Sequence, residues 1–426
     1  RAAVLEAPRA EFVPATKAFR VFDGVRVEGS GLGVRSVSFR YDPGSRTLVS
    51  EGPVAAEAGR LVASARGGSV ETTAGIVRFR EDVRVGGVDS RGRRISLAAR
   101  EVDLRRGGGL VARGAVVLTT EELLVRGDEL EREIVGGGDR LAARGRVEAL
   151  LLPAPGAEIG VPVGARGEIL DLLRNAAGEP GRLSLSGSPA FLDIPPEEGT
   201  GARRAIADGF EATLAESRLV RIQVPGAFTL AESASTPRPG ATRAPAARLL
   251  AAGSGQLTFG PDGRTLEAAV LEGGVSLSEG TTTVRAPRAT LRGTEESVVF
   301  AGTEIEPARY EDDRSRVSAN VLTWFRRDER IEGVGTVKTT FRGREGSEVL
   351  GGGSEAPIFS ESDFLRVVPP ERTILLTGNV TAWQEENVVR ANSLLLDDRD
   401  RSLRAEGQVR AVLRRRRVDP KSKAST

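Results

Sequence analysis

Three acidic doublets are the first residues whose spacing suggests chemistry: Asp312-Asp313, Glu385-Glu386 and Asp397-Asp398. Neighbouring carboxylates can share a proton for acid–base work or offer oxygen ligands to calcium. Each doublet lies in a charged, turn-like stretch, such as Asp397-Asp398-Arg399-Asp400-Arg401. Solvated turn chemistry is the simpler reading there. Two glycine triplets, at 136–138 and 351–353, supply the small residues of a phosphate cradle. No helix start with Lys-Ser/Thr follows either one, so both read as loops. The basic run at 414–417, with Lys421 and Lys423, has the charge to meet lipid phosphates or an anionic surface. Its position favours a solvated, disordered tail.

Composition removes most other mechanisms. The 426 residues contain no His, no Cys and no Met. Without His there is no Ser-His-Asp machinery and no imidazole ligand. Without Cys there is no disulfide, iron–sulfur centre or thiol nucleophile. The chain is therefore read as no enzyme, with no cofactor and no metal site. Sixty-one basic and 59 acidic residues leave a net charge of +2, and the two signs are interspersed. Nucleic acid would call for a concentrated basic face, so none is expected as a partner. No apolar run is long enough for a membrane-spanning helix. The absent initiator Met reads as a mature form or fragment from which a signal peptide or an N-terminal anchor was removed.

The elements that would position any site come from an internal repeat of about thirty residues. A Gly- or Asp-marked pivot followed by Val recurs at Gly24, Gly52, Asp82, Gly114 and Gly145. It returns at Gly274, Gly302, Gly335, Gly378 and Gly407. A second phrase falls between the pivots, aliphatic-x-Ala-x-x-aliphatic-x-aliphatic or aromatic. Copies are Val284…Ala286…Ala289…Leu291, Val317…Ala319…Leu322…Trp324 and Val389…Ala391…Leu394…Leu396. Weaker copies are Leu97…Ala99…Val102…Leu104 and Leu124…Arg126…Leu130. Apolar–polar alternation is the two-residue period of a half-buried strand. Glycine at the pivot suits a bulge or sharp bend. The fold expected is all-β: an elongated open β-jelly roll of antiparallel, V-shaped strands, about two per repeat.

A strand with one apolar face must bury it against another sheet. The expected interior carries Val116, Leu118, Val275, Leu277, Leu291, Leu322, Trp324, Val380, Leu394, Leu396 and Val409. If it stays open, it is a trough for long acyl chains. If it closes, it is an ordinary filled core, as in a structural β-solenoid scaffold or adhesin. Trp324 and Trp383 fit groove lining or plain packing. A carboxylate-based polysaccharide hydrolase would need two acids on one concave face, and no pair is privileged. Stretches at 153–167 and 233–247 are rich in Pro, Gly, Ala and Ser, including Pro153, Pro155, Pro162, Pro237, Pro239 and Pro245. They divide the chain into modules at 1–152, 153–250 and 251–413, with a basic tail at 414–426. The middle module has a less regular register.

The phrases at 374–381, 389–397 and 403–409 resemble the OstA-like proteins, the LptA and LptC group of lipopolysaccharide transport. Residues 19–150, with Phe19-Arg20-Val21-Phe22-Asp23-Gly24-Val25 and Gly114-Ala115-Val116-Val117-Leu118, resemble the LptC member. The chain is longer than either single-module member and looks like an LptC-like and an LptA-like module in tandem. The resemblance implies a jelly roll in the periplasm that shelters lipopolysaccharide or a related glycolipid by its acyl chains and bridges inner to outer membrane. It implies end-to-end contact with other β-jelly-roll transport proteins, and an inner-membrane ABC transporter as a further partner.

Overall fold

The computed structural model describes residues 4–29, 32–71, 73–88, 92–152, 162–196, 201–215, 218–234, 246–262, 265–293, 297–325, 329–342, 356–368, 371–397, 399–400 and 402–414. The triplet at 351–353, Asp398, the tail at 415–426 and Pro153, Pro155, Pro237, Pro239 and Pro245 lie outside them. All regular structure among the described residues is antiparallel strand, apart from a lone 3₁₀ position at Gly293. The chain forms two compact units, Arg1–Val224 and Pro225–Thr426. The division falls inside the 153–250 stretch, where long strands continue as Val163–Arg174, Pro180–Ile194 and Arg203–Ala215.

Each unit is built by bending strands in the middle. In the first unit the short N-terminal strands divide between two leaves. Arg9–Val13, Ala18–Phe22, Phe39–Asp42, Thr47–Ser50 and Gly67–Glu71 form leaf A. Val4–Glu6, Val25–Gly29, Leu32–Ser36, Val54–Ala58 and Leu61–Ala65 form leaf B. The strand Ile76–Val88 then joins both, pairing with leaf A through 76–80 and with leaf B through 84–87. From there each long strand crosses from one leaf to the other at a register shift near its centre. The second unit repeats the plan, with shifts at Glu272/Val275, Val334/Val337, Glu361/Phe364 and Thr377/Val380. The shifts lie on neighbouring strands, so they form a continuous corner along which one sheet folds onto its own apolar face.

Two kinds of corner alternate along most long strands, and each matches one of the two sequence phrases; Pro180–Ile194 instead steps by five, from Leu185 to Ala190. In the first kind the buried residues step by four, as in Phe79 to Val83, Ala112 to Val116, Ala143 to Val147, Leu271 to Val275 and Leu376 to Val380. The two residues at the bend oppose a single residue on the partner strand, so one of them is extra. Most such pairs hold positive φ throughout, as at Glu81-Asp82, Gly114-Ala115, Gly273-Gly274, Gly335-Thr336 and Gly378-Asn379. Glycine enters this region without the Cβ penalty, hence the recurring Gly pivot. In the second kind the step is three: Ala99 to Val102, Ala286 to Ala289, Ala319 to Leu322, Ser362 to Leu365 and Ala391 to Leu394. Two successive residues then face outward on the convex side, such as Arg100-Glu101.

The corners interlock. A Cβ on Gly378 would stand 2.5 Å from Oδ2 of Asp363, the lone residue at the corner of the preceding strand. A Cβ on Gly407 would stand 2.7 Å from Nδ2 of Asn392. Asn392 also donates its backbone N–H to the Gly407 carbonyl at 2.8 Å, and Asn379 Nδ2 donates to Asp363 at 2.9 Å. At Gly378 and Gly407 the pivot glycine thus lets the side chain of a step-three neighbour lie over it.

Outside the corner, charges alternate across strands. Asp103, Arg113, Glu129 and Arg144 form a ladder on the outer face of leaf A, with contacts of 3.3–3.4 Å. This arrangement accounts for many charges with almost no net charge. Exposed pairs of this kind add little stability each, so the apolar inner face dominates.

A direct test compares two pivots. Gly378→Ala carries both the φ penalty and the clash with Asp363, and should destabilise the second unit by about 2–3 kcal/mol. Gly274, at φ 81, has nothing within 4 Å of its built Cβ, so Gly274→Ala should cost only about 1 kcal/mol. Urea denaturation measures both, and equal costs would contradict the interlocked corner.

Candidate functional site

The inner faces are ruled by apolar rows that run across the strands. In the second unit one row passes Leu271, Ala289, Phe300, Leu322, Gly333, Leu365, Leu376 and Leu394, each the register partner of the next. A parallel row nearer the leaf's free rim passes Leu291, Val298, Trp324, Ile331, Val367, Ile374 and Leu396. Such rows arise because strand neighbours share a face and every strand keeps its apolar phase through the corner. The opposite leaf is less uniform. Its row goes from Tyr310 and Val317 to Thr339 and Ser360, whose hydroxyls bond each other, and then to Ala382. The Tyr310 hydroxyl donates to Asp312 at 2.6 Å; burial, then that hydrogen bond, pushes its pKa far up.

The expected interior residues divide as follows. Val116 and Leu118 are buried in the first unit. Val275, Leu322, Val380, Leu394 and Leu396 are buried in the second. Leu277, Leu291 and Trp324 share that inner face but lie toward the rims and are half-buried. Val409 departs from the pattern: it is 49% exposed. It sits between the short strands Ser402–Glu406 and Arg410–Val412, each paired on one side only, to Asn387–Asp397. No further described strand covers it. Trp383 is outside the interior too. It stacks on Phe359 across the outer face, with ring centroids 5.7 Å apart. In the weaker phrase at 124–130 the phase is one residue off, since Val125 rather than Leu124 is buried.

The acidic doublets serve turns. Asp312 Oδ1 accepts the backbone N–H groups of Arg314 and Ser315, and Asp397 Oδ1 accepts that of Arg399 at 2.9 Å. Glu386 pairs with Arg414 at 2.8 Å. Among the described residues no group of three or more acidic side chains is placed to hold a metal ion. A shallow cleft of about 490 Å³ lies against the first unit's corner, bordered by Val37, Ala55, Arg26 and Arg35. Its guanidiniums already pair with Glu28 and Glu57.

One polar cluster was not visible in the sequence. Where the first unit's leaves end away from the corner, inward positions turn charged. Arg132 Nε donates to Asp139 at 2.9 Å, and Arg174 lies 3.9 Å from the same carboxylate. Arg93, on the other rim, pairs with Glu122 at 2.7 Å. Burial pushes the Arg174 guanidinium below its ordinary range; Asp139 and Glu122 oppose that, while Arg93 and Arg132 reinforce it. The two rims therefore approach closely at this point. Among the described residues no strand ladder joins them, since every pairing within the unit runs inside a leaf.

No family model and no characterised protein sequence matches the chain. Among solved structures it is similar to LptH, the LptA-homologous periplasmic component of the lipopolysaccharide transport device of Pseudomonas aeruginosa. The two are 12% identical, with a TM-score of 0.27, over 32% of this chain and 95% of that one. At that score the likeness carries no weight for function, which must rest on the geometry above.

Leu394→Ala should lower the stability of the second unit by about 2–5 kcal/mol through the cavity it leaves. Val409→Ala should change it by less than about 0.5 kcal/mol. Denaturation curves distinguish a buried Leu394 from an exposed Val409, and similar losses would refute the assignment of faces.

Proposed function

We propose that this protein is a non-enzymatic carrier of long-chain amphiphiles, with the acyl chains lying between the two leaves of a folded sheet. One observation carries the reading: unbroken apolar rows face an opposing leaf that, among the described residues, is joined to them only along the corner. A core held on one side by covalent bends and on the other by no backbone ladder can part along its free rims. Parting costs apolar contact, and an acyl chain restores that contact. Burying one methylene is worth about 0.8 kcal/mol, so a chain of a dozen carbons offsets a substantial opening.

Lipopolysaccharide or a related glycolipid is the substrate that the sequence resemblance suggests. The same resemblance supports a periplasmic place between two membranes, with an inner-membrane ABC transporter supplying the energy. Open strand edges favour end-to-end partners. Among the described residues, Val4–Glu6 and Arg9–Val13 pair on one side only, as do Ser402–Glu406 and Arg410–Val412. Unpaired edges are templates for strand addition by another jelly roll.

A second reading has its own observation. Leu322, Val380 and Leu394 are at most 1% exposed, so the inner face is dry when the leaves are together. A permanently filled core would make the chain a structural scaffold. Photocrosslinking separates the two. A photoreactive residue at Val380 or Leu394 should capture a saturated acyl probe, whereas one at the outward Arg390 should not. Capture at Arg390 alone, or at no inward position, would favour the scaffold and sink the carrier.

A further inference from the structure

The charged cluster at the mouth of the first unit differs from the exposed ladders in which most guanidiniums and carboxylates alternate on the outer face. It differs too from Arg248 in the second unit, a half-buried guanidinium that lies between two carboxylates, Glu232 and Glu279. In the cluster, Arg93, Arg132 and Arg174 face inward, together with Glu122 and Asp139. Among the described residues three guanidiniums gather here around two carboxylates, and the Arg174 and Asp139 side chains are each only 11% exposed. The Arg174 Nε is buried and makes no hydrogen bond. Arg132 spends its own Nε on Asp139.

A buried cation without a full set of acceptors is costly, and it is retained where an anion completes it. Arginine suits this role because its planar fork matches the oxygens of a phosphate or carboxylate. The position adds a second constraint. The cluster lies where the two leaves end: Asp139 and Arg174 pair one step beyond the apolar pair Leu141 and Leu172, and Arg132 continues that pair's row onto the neighbouring strand. A ligand with an oxyanion here would have any attached chain directed at the inner face.

The geometry points to an oxyanion site at the mouth of the first unit, formed by Arg174 with Arg93 and Arg132, for a phosphate or similar group. As the polar end of a bound amphiphile, it rests on the carrier reading above. As a site for free phosphate, it does not. Glu122 and Asp139 hold the guanidiniums apart and in place rather than touching the anion, which their charge would repel.

Calorimetric titration of the full chain tests this with three probes: inorganic phosphate, dodecyl phosphate and the neutral dodecyl maltoside. Phosphate should bind wild type, more weakly as ionic strength rises. Arg174→Gln should weaken that binding about tenfold or more. Arg174→Lys retains the charge but lacks the fork, and should fall between the two; circular dichroism confirms that each variant is folded. Should Arg174→Gln unfold the chain, the comparison of wild type with Arg174→Lys decides. If dodecyl phosphate binds more tightly than both phosphate and dodecyl maltoside, the site holds the head of an amphiphile. If phosphate binds through Arg174 and the dodecyl chain adds nothing, the oxyanion site stands and the carrier reading falls. If dodecyl phosphate and dodecyl maltoside bind alike and neither Arg174 variant alters phosphate binding, the oxyanion site is overturned and the carrier reading survives.

Discussion

Every long strand in this protein must turn a corner without exchanging its faces. The rest of the structure depends on that requirement. An alternating strand bent through a simple kink would swing its apolar residues out of the interior. Two local solutions keep them inside. One adds residues in a left-handed conformation and steps the buried positions by four. The other turns two successive residues outward and steps them by three. Alternating the solutions from strand to strand keeps the ladder nearly in register, and it places a small pivot beneath a larger neighbour. Asp363 over Gly378 and Asn392 over Gly407 show the fit.

Continuous apolar rows follow directly. Leu365, Leu376 and Leu394 are register partners and fully buried because the corner preserved their phase on three consecutive strands. The rims are where that ordering stops. At the first unit's rim the inward side chains become charged, and among the described residues no strand ladder crosses from leaf to leaf. One edge of the fold is thus determined by covalent geometry and the other by side chains alone. That asymmetry makes an interior which is dry yet separable, and it sets the charged groups of Arg93, Arg132 and Arg174 at its threshold.

Much of this was legible in the sequence because the corners write themselves locally. The pivots at Gly114, Gly335 and Gly378 advertise a positive φ, and Val116, Val337 and Val380 follow two residues later. The Val389…Ala391…Leu394…Leu396 phrase shows its three-residue step without any structure. Other features depend on register between strands and leave no local mark. Arg93, Arg132 and Arg174 are about forty residues apart in sequence, and each looks like one more surface arginine. Asp363 is likewise an ordinary polar residue until the next strand places Gly378 beneath it. Val409 follows its pivot as Val380 does, yet the pattern gives no sign that the ladder ends there. At Leu124-Val125 two adjacent apolar residues left the phase ambiguous, and the partner strands settled it.

The alternation of corners has a consequence for how such a chain can change in length. Inserting or deleting one strand would bring two corners of the same kind together. Two step-four corners side by side would stack surplus residues, and two step-three corners would lack the pivot that their outward side chains lie on. Strands can therefore be gained or lost without harm only in pairs, one of each kind. The thirty-residue repeat is then the smallest unit of duplication that leaves the inside facing in. Lineages carrying this architecture should differ in size by whole multiples of it, as a zip lengthens by complete teeth.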